Sequence, residues 1–430
     1  MENTQKFKGW SILIGCFIVM FFIQGGLQTF AVFLPAIMKD TGFSLGAVAM
    51  ISTVATVAAF LANMSIGPLL KRITAKTILL IGAAVCAAHF IVYSVADSLF
   101  VLYLGAAGGG ISIGLGTVAP VSVVMNNWFV KKRATYMSVV IAGSMFGGAA
   151  LMPLSGQLIH QFDWRVAYRI LAAVVAVVTL ITILFVITDD PARKKLKAYG
   201  ADEKDTEDEA ARESGSPSEK SGVTPAQARG SASFWLLLLG ILLVGCSTNI
   251  ENFMPAFWQS QGMSVKTSAS IMGFYALITG ICTILLGRVS DRLGARSYII
   301  LTAILFMIGT ALIYMVGAGA TPVVILSIIP FAAGAKKTST LTPPLVVADA
   351  FGRRHYGAII GYFTGMLQLG IAISNPIIGA LHRSSGGYKL PFTVMAVLSA
   401  AALVLIFTAL NASPMRRLSS GEKTAETFRN

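Results

Sequence analysis

Charge is what this sequence has least of. Of its 430 residues, 52 are Asp, Glu, Lys or Arg, half the roughly 25% of a typical soluble domain. Eighteen of these lie within residues 189–231, leaving 34 for the other 387 positions. A soluble chain of this length forms about two or three domains with charged surfaces, and 34 charges cannot cover them. Cysteine and histidine are equally scarce, at four each. Cys16, Cys86, Cys246 and Cys282 sit in apolar runs without metal-ligand spacing, which makes them packing residues. No Ser/His pair or His-rich set lies inside those runs, so an intramembrane enzyme lacks its machinery. A channel lacks its filter-like repeat or ring of charge. Gly108-Gly109-Gly110 lies in an apolar run without the Gly-Lys of a phosphate loop, and no cofactor or metal is expected.

What is abundant is apolar: 55% of residues are hydrophobic and the mean hydropathy is +0.74. A helix needs about 20 apolar residues to cross a bilayer. Twelve runs qualify, near 10–34, 46–70, 77–96, 99–127, 134–158, 165–187, 233–258, 267–288, 297–317, 322–348, 355–381 and 389–411. They do not alternate, and lipid offers the backbone no partners, so they must be helices. The first follows Lys6 and Lys8 and continues without a small-residue cleavage site, which marks a retained span rather than a signal peptide. An all-α integral membrane protein follows.

The net charge of +14 is not a nucleic-acid footprint, because the bases cluster between apolar runs and not on one face. Alternate loops hold Lys71, Arg72, Lys76, then Lys131, Lys132, Arg133, then Arg288, Arg292, Arg296, then Arg353 and Arg354. The intervening loops hold only Lys39, Arg165, Lys266, Arg383 and Lys389. The positive-inside rule then puts the richer set, and both termini, in the cytoplasm. Residues 189–231 combine ten acids and eight bases with Ser, Gly and Pro, too little apolar surface to fold, which predicts a disordered linker. The expected division is a six-helix bundle over 1–188, the linker over 189–231, a second bundle over 232–411 and a tail over 412–430.

The two bundles are copies. A shift of 220 aligns Gly25, Phe33, Pro35, Ala36, Gly42, Ser44, Gly67 and Arg72 with Gly245, Phe253, Pro255, Ala256, Gly262, Ser264, Gly287 and Arg292. A shift of 223 aligns Pro120, Gly147, Pro153 and Gly156 with Pro343, Gly370, Pro376 and Gly379. Duplicated halves are how many secondary transporters are built, with substrate between them near the midplane.

The loop Gly287-Arg-Val-Ser-Asp291-Arg292-Leu-Gly294-Ala-Arg296 resembles the signature loop of the major facilitator superfamily. Its first-half equivalent, Gly67-Pro-Leu-Leu-Lys71-Arg72-Ile-Thr74-Ala-Lys76, is degraded, with Lys71 and Thr74 in place of the usual Asp and Gly. Such a loop is a charge latch between helices that part when the halves rock, or in the simpler reading a positive-inside anchor. Gly287, Asp291, Arg292, Arg296, Arg72 and Arg133 form the candidate gating set. Trp128-Phe129-Val-Lys131-Lys132-Arg133-Ala134, Phe30-Ala-Val-Phe33-Leu-Pro35 and Asp163-Trp164-Arg165 are similar to the monocarboxylate and oxalate–formate branch. The Arg that this branch often carries in its eighth span is missing from residues 267–287.

A charge at the bilayer centre costs at least roughly 2.5–3.5 kcal/mol, so intramembrane charges are site candidates. Lys336 and Lys337 lie near mid-depth of the tenth run, and Glu251 nearer the outer end of the seventh. Their first-half counterparts are Ile113, Gly114 and Ala31, so the charged site is one-sided. The resemblance implies that the first, fourth, seventh and tenth spans line the central path. Gln24, Gln28, Asn249, Asn252 and Gln368 are candidate hydrogen-bonding partners for a carboxylate, and interhelical contacts are their alternative role. A structural ion pair is the alternative for the lysines and Glu251.

These residues predict a secondary transporter of a small organic anion, a mono- or dicarboxylate, coupled to protons through Glu251 or to a counter-anion. An exporter of amphipathic compounds is the second reading. The expected setting is the plasma membrane, with lipid around a monomer. Cysteines placed at Ser216 and Ser264 should label from opposite sides of the membrane. Labelling from one side would overturn the topology.

Overall fold

The computed structural model describes residues 9–43, 45–191, 196, 198, 199, 222–248, 253, 254, 257, 258, 265–315 and 340–415. Among these the chain is helical. In the first half α1 (Gly9–Leu27) and α2 (Phe30–Thr41) form one rod with an irregular step at Gln28–Thr29. It stops at Gly42, whose left-handed φ of 69° lets its N–H cap Met38, a conformation glycine adopts without strain. Then come α3 (Leu45–Leu70), α4 (Ala75–Ser94), α5 (Leu99–Gly116), α6 (Val118–Trp128), α7 (Arg133–Gln161) and α8 (Trp164–Ile181). Thr74 and Ser98 cap α4 and α5 with side-chain oxygens.

The second half contains the short α9 (Pro225–Gly230), α10 (Ala232–Thr248), α11 (Val265–Met315), α12 (340–351), α13 (Tyr356–Ser385) and α14 (Lys389–Asn411). Gly294, with φ 82° and ψ 163°, breaks α11 into two helices, matching the eighth and ninth runs. Eight helices among the described residues are long and apolar enough to cross a membrane. Their outer faces expose large apolar side chains such as Phe100, Phe185 and Val404, the surface that lipid covers.

The duplication is visible in the packing. α1 crosses α7 where Gly25 meets Gly147, and a Cβ on Gly25 would stand 2.6 Å from the Gly147 Cα. In the second half α10 crosses α13 where Gly245 meets Leu367 and Gly370. These are the same positions under the two sequence shifts. Apolar side chains gain little by leaving lipid for each other, so membrane helices associate through small residues that bring backbones close.

The basic loops gather on one face. Trp10 packs on Tyr136 and Arg296 donates to the Leu410 carbonyl at 3.0 Å, so both described ends of the chain lie on that face too. Of the segment expected to be a disordered linker, the described residues at its two ends make defined contacts. Asp189 is 8% exposed and accepts from the Lys76 amide at the start of α4. Tyr199 pairs with the α6–α7 connection, accepting from the Val130 amide at 3.0 Å and donating to the Trp128 carbonyl at 2.9 Å. Its ring joins Trp10, Phe129 and Tyr136. At the far end Gly222 bridges Gly352, and Thr224 with Gln227 forms a capping box on α9. Composition concealed these anchors because each rests on a few backbone contacts and not on a core of its own.

Gly147→Leu should lower thermal stability in detergent by more than the roughly 1–3 kcal/mol of ordinary overpacking, because the obstacle is backbone. Gly156→Ala, whose Cβ would meet only Val32 at 3.8 Å, should change it by less than about 0.5 kcal/mol. Equal melting temperatures for the two variants would refute the crossing.

Candidate functional site

The halves meet along two seams, α3 against α13 and α7 against α11. A Cβ on Gly67 would stand 2.7 Å from the Ala358 carbonyl oxygen, and one on Gly287 2.7 Å from that of Ala134. Gly361 lies against the Asn63 backbone, and Gly280 against Met145 and Phe146. The seams therefore close by backbone contact on the basic-loop face, at equivalent positions of the two copies.

One seam carries a charge latch. α7 begins after Lys132, which has a left-handed φ of 51° and gives no side-chain cap. The cap comes from the other half. Asp291 accepts from the Ala134 amide at 2.9 Å and from the Thr135 amide at 2.7 Å, one carboxylate oxygen each. An acid at a helix N-terminus meets both orphan donors and the positive end of the helix dipole, together worth about 1–2 kcal/mol. The equivalent seam lacks this, because Lys71 stands where the acid would. There His355 gives α13 no side-chain cap, and the first-turn amides of Tyr356 and Ala358 turn to the Arg353 and His355 carbonyls. Lys71 and Arg72 line a cavity of about 360 Å³ with Asn127, Asp189 and Asp190.

The other gating candidates separate in space. Arg133 lies in the seam, 5.1 Å from the Tyr356 ring centre, with a 3.4 Å contact to the Pro344 carbonyl. Arg353 reaches across to the Val130 carbonyl at 3.3 Å. Arg296 caps the C-terminal end of α14 through Leu410, where a cation suits the dipole. Arg292 is exposed.

Of the candidate substrate ligands, Gln28 donates to the Ser144 carbonyl at 3.2 Å and packs on Gly148, so its amide helps hold α1 to α7. One turn earlier the Gln24 Oε1 is buried without a partner. Gln368 is half-buried on α13. Lys336, Lys337, Asn249, Glu251 and Asn252 lie outside the described residues. His89, buried against Tyr93 and Phe90, bonds the Gly105 carbonyl at 2.6 Å, a packing arrangement. Sequence reasoning passed over Tyr356, whose ring faces Arg133 in the seam, and Asn126, which lies beside the Tyr356 hydroxyl. The adjacent Asn126 and Asn127 at the end of an apolar run were the available signal.

The family model of the Major Facilitator Superfamily matches residues 16–345 and 252–430. The chain belongs to that superfamily. Monocarboxylate transporter 4 of Gallus gallus is 26% identical over 166 residues, 38% of this chain and 34% of that protein. The chain thus spans about a third of that relative's length. The aspyridones efflux protein apdF of Emericella nidulans is 25% identical over 89% of this chain and 73% of its own. Monocarboxylate transporter 12 of Rattus norvegicus is 22% identical over 95% and 87%. The solved proton:xylose symporter XylE, bound to 6-bromo-6-deoxy-D-glucose, superposes with a TM-score of 0.74 at 12% identity, over 93% of this chain and 95% of that one. That likeness is one of fold: two six-helix bundles.

Asp291→Asn keeps an acceptor but removes the charge. Losing about 1–2 kcal/mol should shift the seam toward its open form by about 5- to 30-fold. A cysteine at Ser138, buried beside Gly287, should then react faster with a thiol reagent added on the basic-loop side. An unchanged rate would make the loop an orientation signal only.

Proposed function

We propose that this transporter carries a small organic anion, a mono- or dicarboxylate, by alternating access coupled to protons or to a counter-anion. The observation that carries the reading is the pair Lys336 and Lys337, cations in an apolar run whose first-half counterparts are Ile113 and Gly114. Two cations in the second half suit an anion, while the first half contributes shape and amides. The monocarboxylate transporters among the relatives support this substrate class. Glu251 is the acid deep enough to carry a proton. Gln24, with its buried unpartnered oxygen, is the first-half side chain best suited to donate to or accept from substrate, since the O and N of its amide are interchangeable.

In this reading the basic loops and both termini face the cytoplasm of a plasma-membrane protein. The seam that Asp291 latches is then the cytoplasmic gate, closed here. Rocking of two rigid bundles about the central site opens it. The protein works as a monomer in this scheme. Export of amphipathic compounds is the second reading, favoured by the alignment with the aspyridones efflux protein over most of the chain.

At least one of Lys336→Gln and Lys337→Gln should abolish carboxylate transport in proteoliposomes. Loss of a charge-assisted contact is worth about 1.5–3 kcal/mol, or roughly 10- to 150-fold in affinity. The corresponding Arg variant should keep partial activity, since it holds the charge and changes the shape. Glu251→Gln should spare exchange but impair proton-driven accumulation. Wild-type uptake by both Gln variants would remove the organic-anion reading and leave the efflux one.

A further inference from the structure

One group of polar atoms in the α6–α7–α13 seam has no packing explanation. The Tyr356 hydroxyl and both amide atoms of Asn126 are buried without a hydrogen-bond partner. Tyr356 is 3% exposed. Its hydroxyl lies among Ser122, Asn126 and Arg133 without hydrogen-bond geometry to any of them. Ser122 donates elsewhere, to the Ala119 carbonyl at 2.7 Å. The Arg133 guanidinium has the Tyr356 ring and one long carbonyl contact. Among the described residues no carboxylate lies within ion-pair distance of it; the Asp291 charge, bonded to the Ala134 and Thr135 amides, acts on it only from farther away. Arg353 adds positive charge to the same field.

Buried polar groups in folded proteins are nearly all partnered, and each exception needs a reason. Here the exceptions are contiguous, rich in donors and beside a cation. They straddle a seam that must part in every cycle. Apolar side chains would close that seam without leaving polar atoms desolvated. A cationic donor set that no described acid ion-pairs matches an anion.

We propose that Arg133 and the Asn126 amide form an anion-binding station at this gate, covered by Tyr356 while the seam is closed and open to a small carboxylate once it parts. Tyr356 leaves with the second half, whereas Asn126 and Arg133 stay together on the first. The planar guanidinium then offers two parallel N–H groups to a carboxylate, and the Asn126 amide offers a third. A leaving anion exchanges the central site for this station before reaching water. The same polar atoms are solvated on opening, which opposes the Asp291 latch and keeps the two states close in free energy. This inference rests on the organic-anion reading and adds to it a contact made from one side only.

The test measures half-saturating concentrations of lactate and oxalate from each side of proteoliposomes, for wild type, Arg133→Gln, Arg133→Lys and Asn126→Leu. Arg133→Gln should raise the value about tenfold or more on the basic-loop side and less than about twofold on the other. Arg133→Lys should fall between, and Asn126→Leu should act on the same side. Equal shifts on both sides, or none, would overturn the station. If wild type carries neither anion, the organic-anion reading fails by itself. The station is then judged by thiol labelling of Ser122→Cys in an Asp291→Asn background. Protection by lactate, oxalate or chloride that disappears with Arg133→Gln supports it, and absence of protection by all three overturns it. Variants are compared only where they elute as wild type from size exclusion, and Asn126→Leu, which adds no charge, serves where Arg133→Gln does not fold.

Discussion

Inside a bilayer two helices gain nothing by hiding apolar side chains from each other, because lipid is as apolar as they are. What remains is dispersion between closely packed surfaces, and it acts only over very short distances. Gly25 with Gly147, and Gly245 with Gly370, bring backbone to backbone in each half. Each half contains one of those crossings. In the proposed alternating-access cycle each half moves as a unit and the seams between halves are where they part.

The seams are held differently. Gly67 and Gly287 sit at equivalent positions and let both seams close by backbone contact. Only one has an acid to hold it shut. Asp291 caps a helix of the opposite half, whereas Lys71 brings a cation to the equivalent place, where it cannot serve as a cap. The duplicated halves have thus diverged in the charges they bring to the two seams. Against the latch stand the desolvated Asn126 and Tyr356 side chains, so closure combines one favourable charged contact with unfavourable polar burial.

The connecting segment takes part in the same face of the molecule. Tyr199 pairs beside Phe129 and Gly222 pairs beside Gly352, and residues 129 and 352 are equivalent under the shift of 223. Each end of the connector therefore adds a short backbone pairing to the same loop of its own half. On the first half this pairing brings the Tyr199 ring against Tyr136, one turn inside the helix that Asp291 caps.

The sequence by itself determined the class, the spans, their duplication and the loops that carry charge. Those features follow from the bilayer, which admits only helices of about 20 apolar residues and sorts basic loops to one side. Resemblance to the superfamily's signature loop also singled out Gly287 and Asp291. The sequence did not reveal that Asp291 would meet amides 156 and 157 residues away, or that Gln28 would bond Ser144 while Gln24 kept a buried, unpartnered oxygen. Nor did it reveal that Arg133 would face Tyr356, its own equivalent in the other copy. Hydropathy is a property of each residue and can be read along the chain. A hydrogen-bond partner depends on directional contacts of about 3 Å, and only the packing of distant helices decides which groups come that close.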